Sequence, residues 1–229
     1  MEELPPLTQY TPKQAVQLQK ELSGQLVFSP LPASEVKTIG GADISYNRFS
    51  DIIYAGIVVL SFPDMQLIEE CWIKTTATFP YIPGLLSFRE LPALLPVWQA
   101  LQHKPNVMAL DGQGIAHPRR LGIAAHFGLV TGCPAFGCAK SVLVGDFEEP
   151  NLPKGSVAYM YHHNEPVGAA LRTQTGVKPV YISAGYKITL PDALAIIQQC
   201  TTQYRIPEPT RQAHLLVNRI RTLHKSNLT

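Results

Sequence analysis

Asp111 closes a short apolar run, Val107-Met108-Ala109-Leu110, and Gly112-Gln113-Gly114-Ile115-Ala116-His117-Pro118-Arg119-Arg120 follows at once. An apolar run of that length ending in turn residues reads as a buried strand. A carboxylate at the end of such a strand is costly to desolvate unless something offsets its charge, and a metal ion or a bound substrate is the usual reason. The two glycines let a ligand approach the backbone closely, while His117, Arg119 and Arg120 add donors and positive charge. That combination points to an acidic metal site facing a polyanion. Asp43 is a second carboxylate inside a strand pattern, where Asp is disfavoured. Alone it is as readily a solvent-facing edge residue as a ligand. Two such aspartates on neighbouring central strands favour the ligand.

The elements that must position these side chains follow from periodicity. Thr11-Pro12-Lys13-Gln14 is a helix start with a capping box, and Ala15, Leu18 and Leu22 give that helix an apolar face. Strands are expected at 37–46, 52–62 and 66–75, joined by short turns as an antiparallel meander. Residues 87–101 are helical in pattern, with Pro92 and Pro96 predicting a short first turn and then a restart or kink. Ser87-Phe88-Arg89-Glu90 also has the form of a capping box. A strand at 107–111, a helix at 121–130 and a strand at 135–140 make a parallel crossover. Further strands are expected at 157–161, 167–172 and 180–183, and helices at 191–200 and 210–223. The fold class is therefore α/β, a mixed sheet with a three-strand antiparallel meander followed by parallel strands, flanked by helices. No composition break divides residues 1–229, so one domain is expected. If the fourth strand lies beside the first, Asp43 stands next to Asp111.

Bulk properties narrow the class without naming a function. Apolar residues make up 45% and charged residues 16% of the 229-residue chain, as in ordinary globular proteins. The net charge of +2 means that any nucleic-acid surface must be local. The start, Met1-Glu2-Glu3-Leu4-Pro5, has neither the basic residues nor the apolar core of a signal peptide. The longest apolar stretch, 52–62, is too short for a membrane span. A cytoplasmic protein with four reduced cysteines and no membrane contact is the expectation. Cys133 and Cys138 lack a matching second pair, which makes a zinc site a weak reading.

Three blocks then resemble a known family. Gly41-Ala42-Asp43-Ile44-Ser45-Tyr46, Phe79-Pro80-Tyr81-Ile82-Pro83-Gly84-Leu85-Leu86-Ser87-Phe88-Arg89-Glu90 and Asp111-Gly112-Gln113-Gly114-Ile115-Ala116-His117-Pro118-Arg119 are similar to the motifs of endonuclease V, the deoxyinosine 3′-endonucleases. The likeness continues through Leu121-Gly122-Ile123-Ala124-Ala125-His126, Gly137-Cys138-Ala139-Lys140-Ser141 and Glu208-Pro209-Thr210-Arg211-Gln212-Ala213-His214, in order along most of the chain. It implies a ribonuclease-H-like fold and cleavage of the second phosphodiester bond 3′ to deoxyinosine, leaving a 3′-hydroxyl and a 5′-phosphate. It also implies a Mg²⁺ site (Mn²⁺ as substitute) made by Asp43, Glu90 and Asp111, with His214 nearby and Lys140 in catalysis. Local sequence alone would make Glu90 a helix cap.

The same resemblance gives Pro80-Tyr81-Ile82-Pro83 the role of a wedge that fills the stack when a base is extruded. Otherwise such a segment is a rigid surface turn with Tyr81 capping the core. Gly84, Gly112 and Gly114 are candidates to offer backbone groups to the base, and Ile82, Leu86 and Leu143 to wall its pocket. His117, Arg119 and Arg120 are expected at phosphates, with Arg48, Arg89, Lys140 and Lys187 as further candidates. DNA containing deoxyinosine is the expected partner, and no obligate protein partner is called for. Inosine RNA is an open alternative substrate, and a catalytically silent inosine-binding module is another reading.

Overall fold

The computed structural model describes residues 10–47 and 50–226, the side chains of 225 and 226 excepted. Eight strands form one sheet in the order β3-β2-β1-β4-β5-β8-β7-β6. β1 (Thr38–Tyr46), β2 (Ile52–Ser61) and β3 (Leu67–Thr76) are the expected antiparallel meander. β4 (Val107–Leu110) lies parallel to β1, and β5 (Ala135–Ala139) parallel to β4. Between them runs helix α3 (Ile123–Thr131), the crossover that a parallel pair needs.

The remainder of the sheet differs from the expected parallel continuation. β8 (Val180–Tyr186) returns antiparallel to β5, and β7 (Glu165–Leu171) and β6 (Val157–His162) continue antiparallel. The connections explain the difference. β6 and β7 are joined by His163 and Asn164, both at positive φ, the backbone of a two-residue hairpin turn. No helix lies between β7 and β8 to carry a crossover. The class stays mixed α/β, with parallel pairing confined to β1-β4-β5.

Alternation along β2 shows why helices cover both faces. Ile53, Ala55, Ile57 and Val59 pack in one core with α2 (Leu86–Ala100), α3 and Ala15 of α1 (Pro12–Ser23). Tyr54, Val58 and Leu60 pack in a second core with α4 (Leu190–Gln199) and α5 (Glu208–Ser226). Successive side chains of a strand point to opposite faces, so a strand buried at nearly every position must be covered twice. α2 runs on through Pro92 and Pro96 without a break. Burial of Phe88, Leu91 and Leu94 on its inner face offsets the missing amide donors. The capping box of α1 forms as expected between Thr11 and Gln14.

Gly41 decides how close α5 comes to the sheet. A Cβ there would lie 1.9 Å from the Pro209 carbonyl oxygen, so only glycine lets the first turn of α5 rest on β1. Among the described residues, no helix is long and apolar enough to cross a membrane.

Candidate active site

The parallel register of β1 and β4 pairs Ala42 with Leu110, which brings the next residues together: Asp43 within β1 and Asp111 just past the carboxyl end of β4. The Asp111 amide donates to the Ala42 carbonyl at 3.2 Å. β1 lies between β2 and β4, so the edge-strand reading of Asp43 does not apply. α5, resting on β1 through Gly41, presents His214 with Nδ1 2.8 Å from Asp43 Oδ2. Asn218, one turn further on, places Nδ2 3.0 Å from His214 Nε2 and its Oδ1 3.0 Å from the Ser45 hydroxyl, which donates to it. With Nε2 accepting from Asn218, the His214 proton sits on Nδ1 and is donated to Asp43. Lys140, just past the end of β5, forms an ion pair and hydrogen bond with Asp111 Oδ2.

Among the described residues, ligand-type atoms of Asp43, Asp111 and His214 lie within 4.8 Å of one another. Glu90 does not belong to that set. It lies on α2, near enough that Asp43 and Asp111 act on its charge. Burial first, and then those two carboxylates, push its pKa up to about 8. Asp111 is also raised, by burial and by Asp43, against the opposing pull of Lys140. Burial alone would lower the Lys140 ammonium, but Asp111 and Asp43 outweigh it and the net shift is upward. Carboxylates gathered at this cost suit a hard divalent cation with oxygen ligands such as Mg²⁺. His214 would have to shed its Nδ1 proton to ligate directly; as placed, it orients Asp43.

Glu90 gives a test that needs no substrate. Its folded pKa of about 8 lies above the ordinary 4.5. The metal-free fold therefore binds the extra proton between those values, and loses stability as pH rises from about 4.5 through 8. Glu90→Gln is expected to flatten that decline in thermal melts from pH 5 to 8.5. Parallel curves for the two proteins would show that Glu90 is not strained by its neighbours.

A cavity of about 390 Å³ adjoins the cluster and shares Asp111 and Lys140 with it. Its walls include Ile82, Gly84, Leu86, Gly112 and Leu143, as the sequence suggested, and also Gln113 and Ile123. Gly114 does not line the cavity: its N–H donates to Ser183 Oγ at 2.7 Å, and a Cβ would strike the Ala184 carbonyl. Tyr81 stands 61% exposed at the rim rather than capping the core, while Ile82 packs against the core beneath it.

The expected phosphate donors that the structure describes also have partners within the protein. His117 Nε2 donates to the Gly84 carbonyl at 3.0 Å, and its Nδ1 accepts from the Arg119 amide at 3.1 Å. Burial, with the Arg119 charge, lowers its pKa to about 4, so it is neutral near pH 7. Arg119 Nη2 donates to the same carbonyl at 2.6 Å. Arg120 pairs with Glu165 at 2.8 Å. Arg89 is buried and donates to the Phe79 carbonyl at 2.7 Å, and Lys187 donates to Gly132 O. Arg48 lies outside the described residues. The Ser87–Glu90 capping box is absent. α2 starts at Leu86, and Ser87 Oγ lies instead 3.1 Å from Nδ1 of the buried His126.

Sequence reasoning missed Gln19, Asn218 and Ser183. Asn218 carries a signal, since four residues after His214 places it one helical turn away. Nothing local marks the other two. The four cysteines are free, and burial pushes the Cys133 and Cys138 thiols to about 12, leaving them unreactive.

Known proteins resemble this chain in sequence and in fold. The family model described as Endonuclease V matches residues 20–215. Endonuclease V of Myxococcus xanthus is 47% identical over 211 residues, covering 92% of this chain and 90% of that protein. The crystal structure of Endonuclease V from Streptomyces avermitilis superposes with a TM-score of 0.88 at 38% identity, covering 94% of this chain and 95% of that one. Endonuclease V of Ciona intestinalis, solved with a 24mer DNA containing an inosine followed by a ribo-adenosine, superposes at 0.81 with 28% identity, covering 92% and 97%. With the family model matching residues 20–215 and 47% identity across most of the chain, the chain belongs to the endonuclease V family.

Proposed function

We propose that this chain is a single-domain, divalent-cation-dependent endonuclease that acts on DNA carrying deoxyinosine. It cuts the second phosphodiester bond 3′ to that nucleotide and leaves a 3′-hydroxyl and a 5′-phosphate. The observation that carries the reading is the base-sized cavity joined to the acidic cluster through Asp111 and Lys140. A cavity of about 390 Å³ falls within the range of small-ligand pockets, and an extruded base needs such a pocket. Tyr81 at its rim is placed to occupy the gap left in the stack.

Asp43 and Asp111 would hold the cation, with Glu90 ionised once that positive charge is present, and His214 would keep Asp43 in orientation. When bound, Mg²⁺ supplies charge at the scissile phosphate and a more acidic water. Lys140 adds a cation on the side of Asp111 facing the cavity, where it can stabilise phosphate charge. Leu86, Ile123 and Leu143 give apolar walls for the base.

The test is an end-labelled duplex with one inosine, incubated with and without Mg²⁺ and mapped for the cut. A single metal-dependent nick at the second bond 3′ to inosine is expected. Intact strands with Mg²⁺ and with Mn²⁺, or release of the free base, would overturn the reading. A matched RNA strand belongs in the same assay, since the strand bound by the Ciona relative carries a ribonucleotide directly after inosine. Faster cutting of RNA would make ribonuclease activity the principal one.

A further inference from the structure

The turn that carries Tyr81 is fastened at both ends by buried side chains. At its start, Arg89 donates to the Phe79 carbonyl. At its end, the Gly84 carbonyl oxygen accepts from Gln19 Nε2 at 3.0 Å, His117 Nε2 at 3.0 Å and Arg119 Nη2 at 2.6 Å. Gln19 comes from α1, far from the acidic cluster in sequence, and has no solvent exposure. Its amide has no spare donor: Nε2 also donates to the Leu121 carbonyl at 3.2 Å, and Oε1 accepts from Arg119 Nε. Gly84 has φ +77, and a Cβ there would lie 2.8 Å from Arg119 Nη2. The backbone conformation and the three donors therefore require one another.

A carbonyl has two lone pairs, so three donors saturate it. That is more than helix or sheet formation demands of one oxygen. The convergence falls where the exposed turn enters α2, three residues from Tyr81. A cluster serving only general stability would have no reason to gather there.

We propose that Gln19 is a positioning residue: with His117 and Arg119 it fixes the Gly84 carbonyl, and so the placement of the turn by which Tyr81 displaces a base from the stack. This rests on the reading of that turn as a wedge. α1, which contributes no residue to the acidic cluster or to the cavity lining, then sets how efficiently a paired inosine is extruded. The cost of imprecise placement falls on substrates whose base must be unstacked and unpaired, and spares those whose base is already free.

The experiment compares Gln19→Met, which keeps length but loses both donors, with the unaltered protein on two substrates. One is a duplex with a paired inosine, the other a single strand of the same sequence. Fluorescence of a 2-aminopurine beside the inosine reports unstacking. A misplacement of about 1 Å costs up to about 100-fold in rate. The expected result is a loss of about 10- to 100-fold in kcat/KM on the duplex, a much smaller loss on the single strand, and a weaker fluorescence rise. Arg119→Met, at a partly exposed position, should show the same selectivity should Gln19→Met fail to fold. Equal losses on both substrates, or full activity on the duplex in a folded variant, would overturn the proposal. An unaltered protein that cuts neither substrate would instead overturn the functional reading beneath it.

Discussion

Asp111→Ala is expected to lower the rate of nicking by at least about 10³-fold, because the stabilisation of transition-state charge by a held cation is worth several kcal/mol and each 1.36 kcal/mol is tenfold. Asp111 is the side chain shared by the ion pair with Lys140, the group with Asp43 and His214, and the cavity wall. Its loss should weaken cation binding while leaving the Pro80–Gly84 turn intact, so inosine DNA should still bind. Single-turnover nicking, calorimetric titration with Mg²⁺ and a gel-shift assay read the three quantities separately. Nicking within tenfold of the unaltered protein would show that this carboxylate holds no catalytic ion.

Lys140→Ala separates two roles in the same pair. Loss of one pre-placed donor at developing phosphate charge costs about 10² to 10³ in rate, and a reduction of that order is expected here. Metal affinity should move the opposite way to that of Asp111→Ala. Lys140 now occupies Asp111 Oδ2 as a competing cation, and like charges repel at short range. Its removal should leave Mg²⁺ binding equal or tighter, and the same titration measures this. Metal binding weakened as much as in Asp111→Ala would mean that the ammonium organises the site, rather than acting on the phosphate.

Local rules read the first half of the fold well, because its connections are short and its signals strong. The Thr11–Gln14 box, the meander and the β4-α3-β5 crossover each follow from a few neighbouring residues. The second half eluded the same rules at β8, whose direction depends on a connection lacking a helix. The partners of charged residues were less legible than those of apolar ones. Arg119, Arg120 and His117 stand beside Asp111 in sequence, and proximity suggested a phosphate surface. In space they face Gly84 and Glu165. A buried donor must find an acceptor, and which acceptor is near is a property of the packed molecule. The Ser87–Glu90 box failed similarly, because α2 begins two residues too early and His126 takes the serine.

Sequence by itself determined the chemistry available to this protein: one aspartate within a strand and another at the end of an apolar strand, a lysine ending a third, and an ordered set of motifs similar to one nuclease family. Those features are local, since side-chain type and strand periodicity are written in consecutive residues. Only the tertiary structure decided which groups meet. The one-residue register between β1 and β4 sets Asp43 beside Asp111, the missing side chain of Gly41 admits α5 and with it His214, and Gln19 reaches Gly84 across 65 positions of chain. Contacts between residues so far apart arise from how layers stack and how closely backbones can approach, and no short stretch of sequence contains that information.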